Sequence, residues 1–466
     1  MKLQNKNFLY NILYQFFVFI IPLVTTPYIS RVLGVDNVGI YSYTYSIVYY
    51  FMLLAMLGIT NYGSREIAKC SNKIERSKMF LSIYFLQIFM SIICIILYLL
   101  LTFLLHAKYL NIMLINICFL FSVLFDINWF FYGLEKFKIT ISRNIIIKLL
   151  SLIFVFAFVK NANDLWKYSL IIGASTLISQ MFLWFFIRKE IVFIKIKLED
   201  VFQHLKPCII LFIPVIAYSI YRVMDKTMLG SIAGTLNLGY YENAEKIINI
   251  PVAIINALGV VMLPSMAKIV NDDELKEKIL YSFKLILLFI IPIFFGLIVV
   301  SDNFSILFFG QEFEQSGFII QLLSITFVFS AIANVIRTNY LIPKKLDKIY
   351  VKSTILGAIV NLIINSILIP YYGYIGASIG TICAEFIVML YQIVKTKNFI
   401  DYVKVVKILF ENIFKCILMF IALIILEFSV KPRIIRFILQ IIISIVMVFI
   451  LNYDFIVYDF LNKKRR

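Results

Sequence analysis

The sequence predicts an all-α polytopic membrane protein of about 14 transmembrane helices, built as two six-helix lobes in pseudo-twofold parallel repeat plus two extra C-terminal helices. Three observations carry this. Hydrophobic residues make up 62% of the 466 positions and charged residues only 15%, too few to coat a soluble globular surface. Apolar stretches of bilayer-crossing length recur along the whole chain. Short sequence patterns from the first part return, in order, in the second.

The first lobe, 1–200, holds expected spans at 8–29, 38–62, 79–104, 112–133, 144–160 and 167–187. Lys148, Lys160 and Lys167 shorten the last two. The opening MKLQNKN and its apolar run resemble a signal peptide, but the run continues past Pro22 without a small-x-small cleavage site, so it is read as the first span. The second lobe, 201–400, holds spans at 208–230, 240–266, 282–301, 317–341, 353–371 and 374–394. Spans 405–428 and 434–453 and a basic tail complete 401–466. The connection from Asp302 to Gly317 carries the apolar patch Phe304 to Phe309 and is expected to lie in the membrane interface.

The net charge of +18 belongs to topology. Basic residues cluster in alternate connections, from Arg65 to Lys78, Lys136 to Lys148, Arg188 to Lys206, Lys268 to Lys284, Lys344 to Lys352 and Lys395 to Lys407, and in the tail Lys463, Lys464, Arg465 and Arg466. Under the positive-inside rule both termini are cytoplasmic. No continuous basic stripe with interleaved aromatics points to nucleic acid. The 6 cysteines are scattered singly and only His106 and His204 could join them, so neither a disulfide framework nor a metal site is indicated.

Within the repeat, Asn37, Gly39, Tyr41 and Ile47 return as Asn237, Gly239, Tyr241 and Ile247. Leu33-Gly34 is matched to Leu229-Gly230, and Ile172-Gly173-Ala174-Ser175 to Ile375-Gly376-Ala377-Ser378. Spans 1 to 6 therefore correspond to spans 7 to 12 and enter the membrane in the same sense.

The second copy of the first stretch is charged where the first is not. Arg222, Asp225 and Lys226 stand at i, i+3 and i+4, as do Glu242, Glu245 and Lys246, so each trio lines one helix face. An ionised side chain at a helix centre costs about 2.5–3.5 kcal/mol on insertion scales, so such clusters must pair or perform a task. Two readings stay open: an ion network fastening a hairpin, or a gate that releases Arg222, Lys226 or Lys246 to an anionic substrate. Arg31 is either an interfacial snorkelling arginine or a substrate contact. Asp126 and Glu385 lack a sequence-local basic partner and are candidate proton or cation sites unless another span pairs with them.

Four segments together carry a family resemblance: NILYQFFVFIIPLVTTPYISRVLGVDNVGIYSYTYSIVYYFMLLAMLGITNYGSREIAK, DINWFFYGLEKFKITISRN, MDKTMLGSIAGTLNLGYYENAEKI and KLDKIYVKSTILGAIVNLIINSILIPYYGYIGASIGT. They resemble the polysaccharide transporter family, the O-antigen (Wzx-type) flippases of the multidrug/oligosaccharidyl-lipid/polysaccharide exporter superfamily. The resemblance implies a V-shaped bundle of two lobes in the bacterial cytoplasmic membrane. Such a transporter, which is not an enzyme, moves an undecaprenyl-pyrophosphate-linked oligosaccharide between leaflets. It implies no cofactor beyond an H+ or Na+ gradient, and as partners the lipid-linked oligosaccharide, membrane lipids and polysaccharide polymerase machinery. By position it assigns Arg31, Arg222 and Lys226 to the substrate's anionic groups, and Asp225, Glu242 and Asp126 to coupling or gating. The first lobe departs from a strongly cationic cavity, contributing little charge beyond Arg31 and Asp126. A drug exporter or a lipid II-like precursor exporter of the same superfamily is the alternative. A membrane polymerase fits less well, because no large outside loop or Asp-x-Asp constellation is present.

Overall fold

The computed structural model describes residues 2–104 and 108–453, and the tail cations Lys463 to Arg466 lie outside them. Helices make up most of the described chain: α1 (Lys2–Met56), α2 (Ile59–Lys69), α3 (Lys73–Leu104), α4 (Leu110–Leu124), α5 (Asn128–Gly133), α6 (Phe137–Phe158), α7 (Leu165–Phe182), α8 (Trp184–Ile187), α9 (Leu198–Phe202), α10 (Leu205–Ile232), α11 (Thr235–Met266), α12 (Asp272–Phe309), α13 (Glu314–Ile336), α14 (Asp347–Tyr372), α15 (Tyr374–Thr396), α16 (Tyr402–Ser429) and α17 (Arg433–Leu451). Only helices and closed barrels satisfy every backbone group inside hydrocarbon, so this is the form an apolar chain of this length takes. Among the described residues 12 segments are long and apolar enough to cross a membrane. The expected first and second spans form one of these, Ile21–Lys69, and the expected seventh is α10, a helix of 28 residues. The chain is a multi-pass membrane protein.

Contacts divide it into two units, Met1–Gly239 and Tyr240–Arg466. In the first, α1 is broken at Gly34, whose φ of 76° is open to glycine and strained for other residues. A single residue thus separates the first two spans. Gly234, with φ 89°, likewise takes a positive φ between α10 and α11. The equivalent of Gly34 is therefore Gly234 rather than Gly230, which lies inside α10 where a side chain would strike the ring of Tyr43. Counted from these turns, Asn37 donates to the Leu33 carbonyl at 3.0 Å, and Asn237 donates to that of Ala233 at 2.8 Å.

The start of α11, which belongs to the first unit, crosses α1 in backbone contact. A Cβ on Gly39 would fall 1.8 Å from the Thr235 carbonyl oxygen, and one on Gly239 would fall 2.1 Å from that of Val35. Thr235 also donates to Asp36 at 2.5 Å. Elsewhere in this unit Phe80, Trp129, Phe130 and Phe131 form a fully buried aromatic core joined by Cys208 and Phe212 of α10. His204, just before α10, sits between hydroxyls: Tyr62 Oη lies 2.7 Å from Nδ1 and Ser82 Oγ lies 2.9 Å from Nε2.

In the second unit α12 is longer than expected. The segment Phe304 to Phe309, read from sequence as interfacial, continues the helix, and Phe309 is buried. The cause is a polar face. Asn303 donates to Glu427 of α16 at 3.0 and 3.2 Å, while Arg436 of α17 bonds Asn303 at 2.5 Å and pairs with Glu427 at 3.2 Å. Gln440 adds a bond to Glu427 at 3.0 Å. The two C-terminal helices are held to α12 by this network.

Replacing Gly39 or Gly239 with alanine is expected to destabilise the protein by about 1–3 kcal/mol, the cost of overpacking. Thermal unfolding in detergent reads this, and unchanged melting of both variants would contradict the crossing. Burial lowers the His204 pKa below its ordinary 6.5, against smaller upward pulls from Glu66 and Asp200. Below pH 6.5 the unfolded chain takes up a proton there that the folded chain resists, so this stability is present above that pH and lost as pH falls. His204→Gln is expected to flatten the acid decline in melting temperature. A decline identical to that of the unsubstituted protein would assign it to other groups.

Candidate functional site

The charged stretch of α10 is positioned by α1. Thr227 donates to Ser46 at 2.9 Å, and Gly230 lets the Tyr43 ring approach within side-chain distance. One turn before, Asp225 is buried, while Arg222 and Lys226 are half-buried on the same face. Asp225 lies within electrostatic reach of Tyr50. On α11, Lys246 pairs with Glu242 at 3.5 Å and donates to Asn243 at 3.4 Å. Glu245 is half-buried one turn along from Glu242. Arg31 is exposed on α1. Arg31, Arg222, Asp225, Lys226, Glu242 and Glu245 all have interaction partners. The charges are thus held within the apolar body at defined places, as their cost demands.

Asp126 breaks the fourth span. Its Oδ1 accepts from the backbone and side-chain nitrogens of Asn128 at 2.8 and 2.7 Å, a local arrangement that ends α4 and starts α5. Such a break strands carbonyl groups, and other helices meet them. Gln87 donates to the carbonyls of Val123 and Asp126 at 2.6 and 2.8 Å, Trp184 donates to that of Phe125 at 3.0 Å, and Trp129 fixes Gln87 at 2.9 Å. Asn128 extends the chain of contacts to Arg143, which donates to its Oδ1 at 3.0 Å. Arg143 is 3% exposed and also donates to the Ser179 carbonyl, Gln180 and Asn144 at 2.8, 3.2 and 2.7 Å.

For Asp126 the alternative of a partner on another span is the one the geometry favours: Arg143, bridged through Asn128, comes from the next span. One expectation changes here. Arg143, counted in sequence as a topogenic cation, is instead buried because α6 begins at Phe137 and carries it inward. The signal that could have revealed it was the cluster of Asn128, Asn144, Ser179 and Gln180 in otherwise apolar spans. Glu385 on α15 accepts a 2.7 Å bond from Ser330 of α13. Near the far end of α13, Arg337 bonds Asn256 at 3.2 Å and lies over the Tyr350 ring. Among the described residues no group of three His, Cys, Asp or Glu side chains could hold a metal.

Arg143→Met is expected to cost about 3 kcal/mol of stability, because it removes a buried cation that hydrogen-bonds Asn128, Asn144, Ser179 and Gln180 and leaves the half-buried Asp126 carboxylate without its bridged partner. Adding Asp126→Asn should recover part of that loss in a double-mutant cycle of unfolding free energies. Strict additivity would show that the two charges do not couple.

Comparison with known proteins agrees with this architecture. A family profile described as Polysaccharide biosynthesis protein matches residues 5–270. Proteins named "Putative O-antigen transporter" from Shigella dysenteriae and Escherichia coli (strain K12) are each 23% identical, over 399 and 402 residues, covering 84% of this chain and 100% and 97% of theirs. The solved structure titled "Lipid II flippase MurJ, inward closed conformation" aligns over 97% of this chain and 100% of its own with a TM-score of 0.80 and 18% identity, which is a likeness of fold. The relatives carry the names of transporters and flippases, not of enzymes. With its spans, its charged helices and a profile over more than half its length in agreement, the chain belongs to the polysaccharide biosynthesis protein family.

Proposed function

We propose that the protein is a flippase for lipid-linked oligosaccharides. It moves an undecaprenyl-pyrophosphate-linked repeat unit from the cytoplasmic to the outer leaflet of a bacterial inner membrane, with both termini cytoplasmic, for surface polysaccharide synthesis. The observation that carries this is the fixed set of intramembrane charges in α10 and α11 of a chain belonging to the polysaccharide biosynthesis family. The O-antigen transporter names of its full-length relatives and the fold shared with a lipid II flippase support the same class of cargo.

The physical task is desolvation. A sugar chain on a pyrophosphate cannot cross ~30 Å of hydrocarbon, because its hydroxyls and phosphates would lose their water without replacement. In this reading Arg31, Arg222, Lys226 and Lys246 supply cations to those phosphates. Asp225, Glu242 and Glu245 hold the cations when no substrate is present, and so act as the gate. Asp126 and Glu385 are the candidates for coupling to an H+ or Na+ gradient. Alternating access then requires two packings of similar energy, which a ligand shifts only by binding one better than the other.

Deleting the gene is expected to strand lipid-linked repeat units in the inner leaflet and remove surface glycan. Asp225→Ala and Arg222→Ala should each lower surface glycan at least tenfold while membrane levels of the protein stay normal. Immunoblots of glycan and protein read both, and full glycan in both variants would take these charges out of transport.

A further inference from the structure

Inside the first unit lies a cavity of about 300 Å³ between the first arm of α1, α6 and α7. That is the lower end of the size range of small-ligand pockets. One cation, Lys148, stands on its wall midway along α6, and among the described lining residues there is no carboxylate. The floor, Asn144, Ser179 and Gln180, is the far side of the Arg143 network, so its side chains are already oriented.

The hydroxyls on the walls are directed by the helices that bear them. Thr25 donates to the Ile21 carbonyl at 3.0 Å, Ser151 to Lys148 at 2.8 Å and Thr176 to Ile172 at 2.8 Å. A hydroxyl that donates to its own helix still has an oxygen able to accept. The cavity therefore offers acceptors for O–H groups beside one positive charge. At the other end Tyr168 meets Tyr41 edge-on at 4.8 Å, and Tyr41 continues into a ladder with Tyr45 and Tyr49 at 5.9 and 6.1 Å. Aromatic faces of this kind pack against the C–H faces of pyranose rings.

The lining faces also indicate which ligands can enter. On α6 the exposed apolar residues Ile146 and Ile153 lie opposite Lys148 and Ser151, and on α7 Trp166 and Leu170 lie away from Tyr168 and Thr176. The cavity is thus on the side of both helices away from their apolar exposed faces.

We propose that this cavity binds a single polyhydroxylated anion, an acidic monosaccharide unit such as a uronate, with Lys148 on its carboxylate and the wall oxygens accepting from its hydroxyls. The proposal rests on the flippase reading for its biological ligand, and makes the cavity a specificity subsite for acidic repeat units. A phospholipid headgroup such as phosphatidylglycerol shares the chemistry and must be separated by experiment.

The test is calorimetric binding to the full chain in phosphatidylcholine nanodiscs, with D-glucuronate and D-glucose as probes. D-glucuronate is expected to bind at least tenfold more tightly than D-glucose. Lys148→Met should erase that difference and Lys148→Arg should keep it. Equal affinity for the two sugars in the unsubstituted protein, or an unchanged preference in Lys148→Met, overturns the proposal. If Lys148→Met does not fold, Ser151→Leu fills the cavity from the same helix, and undiminished glucuronate binding by that variant is equally fatal. Phosphatidylglycerol in the nanodisc that displaces glucuronate from both the unsubstituted protein and Lys148→Arg would make the headgroup the occupant and overturn the sugar assignment. Binding needs no flipping, so the two readings fail separately. Normal surface glycan in a deletion strain removes the flippase alone, and a chain that restores glycan without binding glucuronate removes the subsite alone.

Discussion

Hydrocarbon offers no hydrogen bonds, and the rest of this structure follows from how the chain replaces them. Where a helix runs unbroken the backbone satisfies itself. Where α4 ends at Leu124 it cannot, and Gln87 and Trp184 arrive from two other helices to accommodate the stranded carbonyls. The same necessity gathers Asn303, Glu427, Arg436 and Gln440 around α12, and Asn128, Arg143, Asn144 and Gln180 around the break at Asp126. Each network joins helices distant in sequence. In an apolar chain, polar residues are where the tertiary structure is specified.

That division explains what the sequence disclosed. Apolar runs, the scarcity of charge and the recurrence of Asn37 and Gly39 as Asn237 and Gly239 are local patterns, and they led to the helical fold and to the repeat. The register of the repeat was harder to read. Gly230 and Gly234 are both plausible partners of Gly34 on composition, and only the positive φ at Gly234 decides between them. Arg143 was read as topogenic because a cation near a span boundary looks the same whether it faces water or is drawn inward by partners on α5 and α7. The extension of α12 beyond its expected end at 301 was hidden for a similar reason, since the polar partners of Asn303 lie more than a hundred residues away.

The two units carry their charges differently. The first holds Arg143 and Asp126 deep within a fixed network and Lys148 on a cavity wall. The second has Glu385 bonded to the Ser330 hydroxyl and an ion group where the C-terminal helices attach. Against this background α10 and α11 stand out, because their ionic residues follow each other closely along two consecutive helices. Positions equivalent to Glu242, Glu245 and Lys246 in the first copy are Ser42, Tyr45 and Ser46, so only one copy of the shared frame carries charge there.

The crossing of α1 with the start of α11 has a further consequence for how that frame can change. Gly39 and Gly239 each face the other helix's carbonyl, so the spacing between the two backbones is one variable felt at both positions. A side chain at either glycine must push the helices apart, and that displacement opens room at the other as well. The second substitution therefore costs less than the first, and the energies do not add. Once one glycine is lost, little further penalty guards the other, so the two positions are expected to be kept together or lost together.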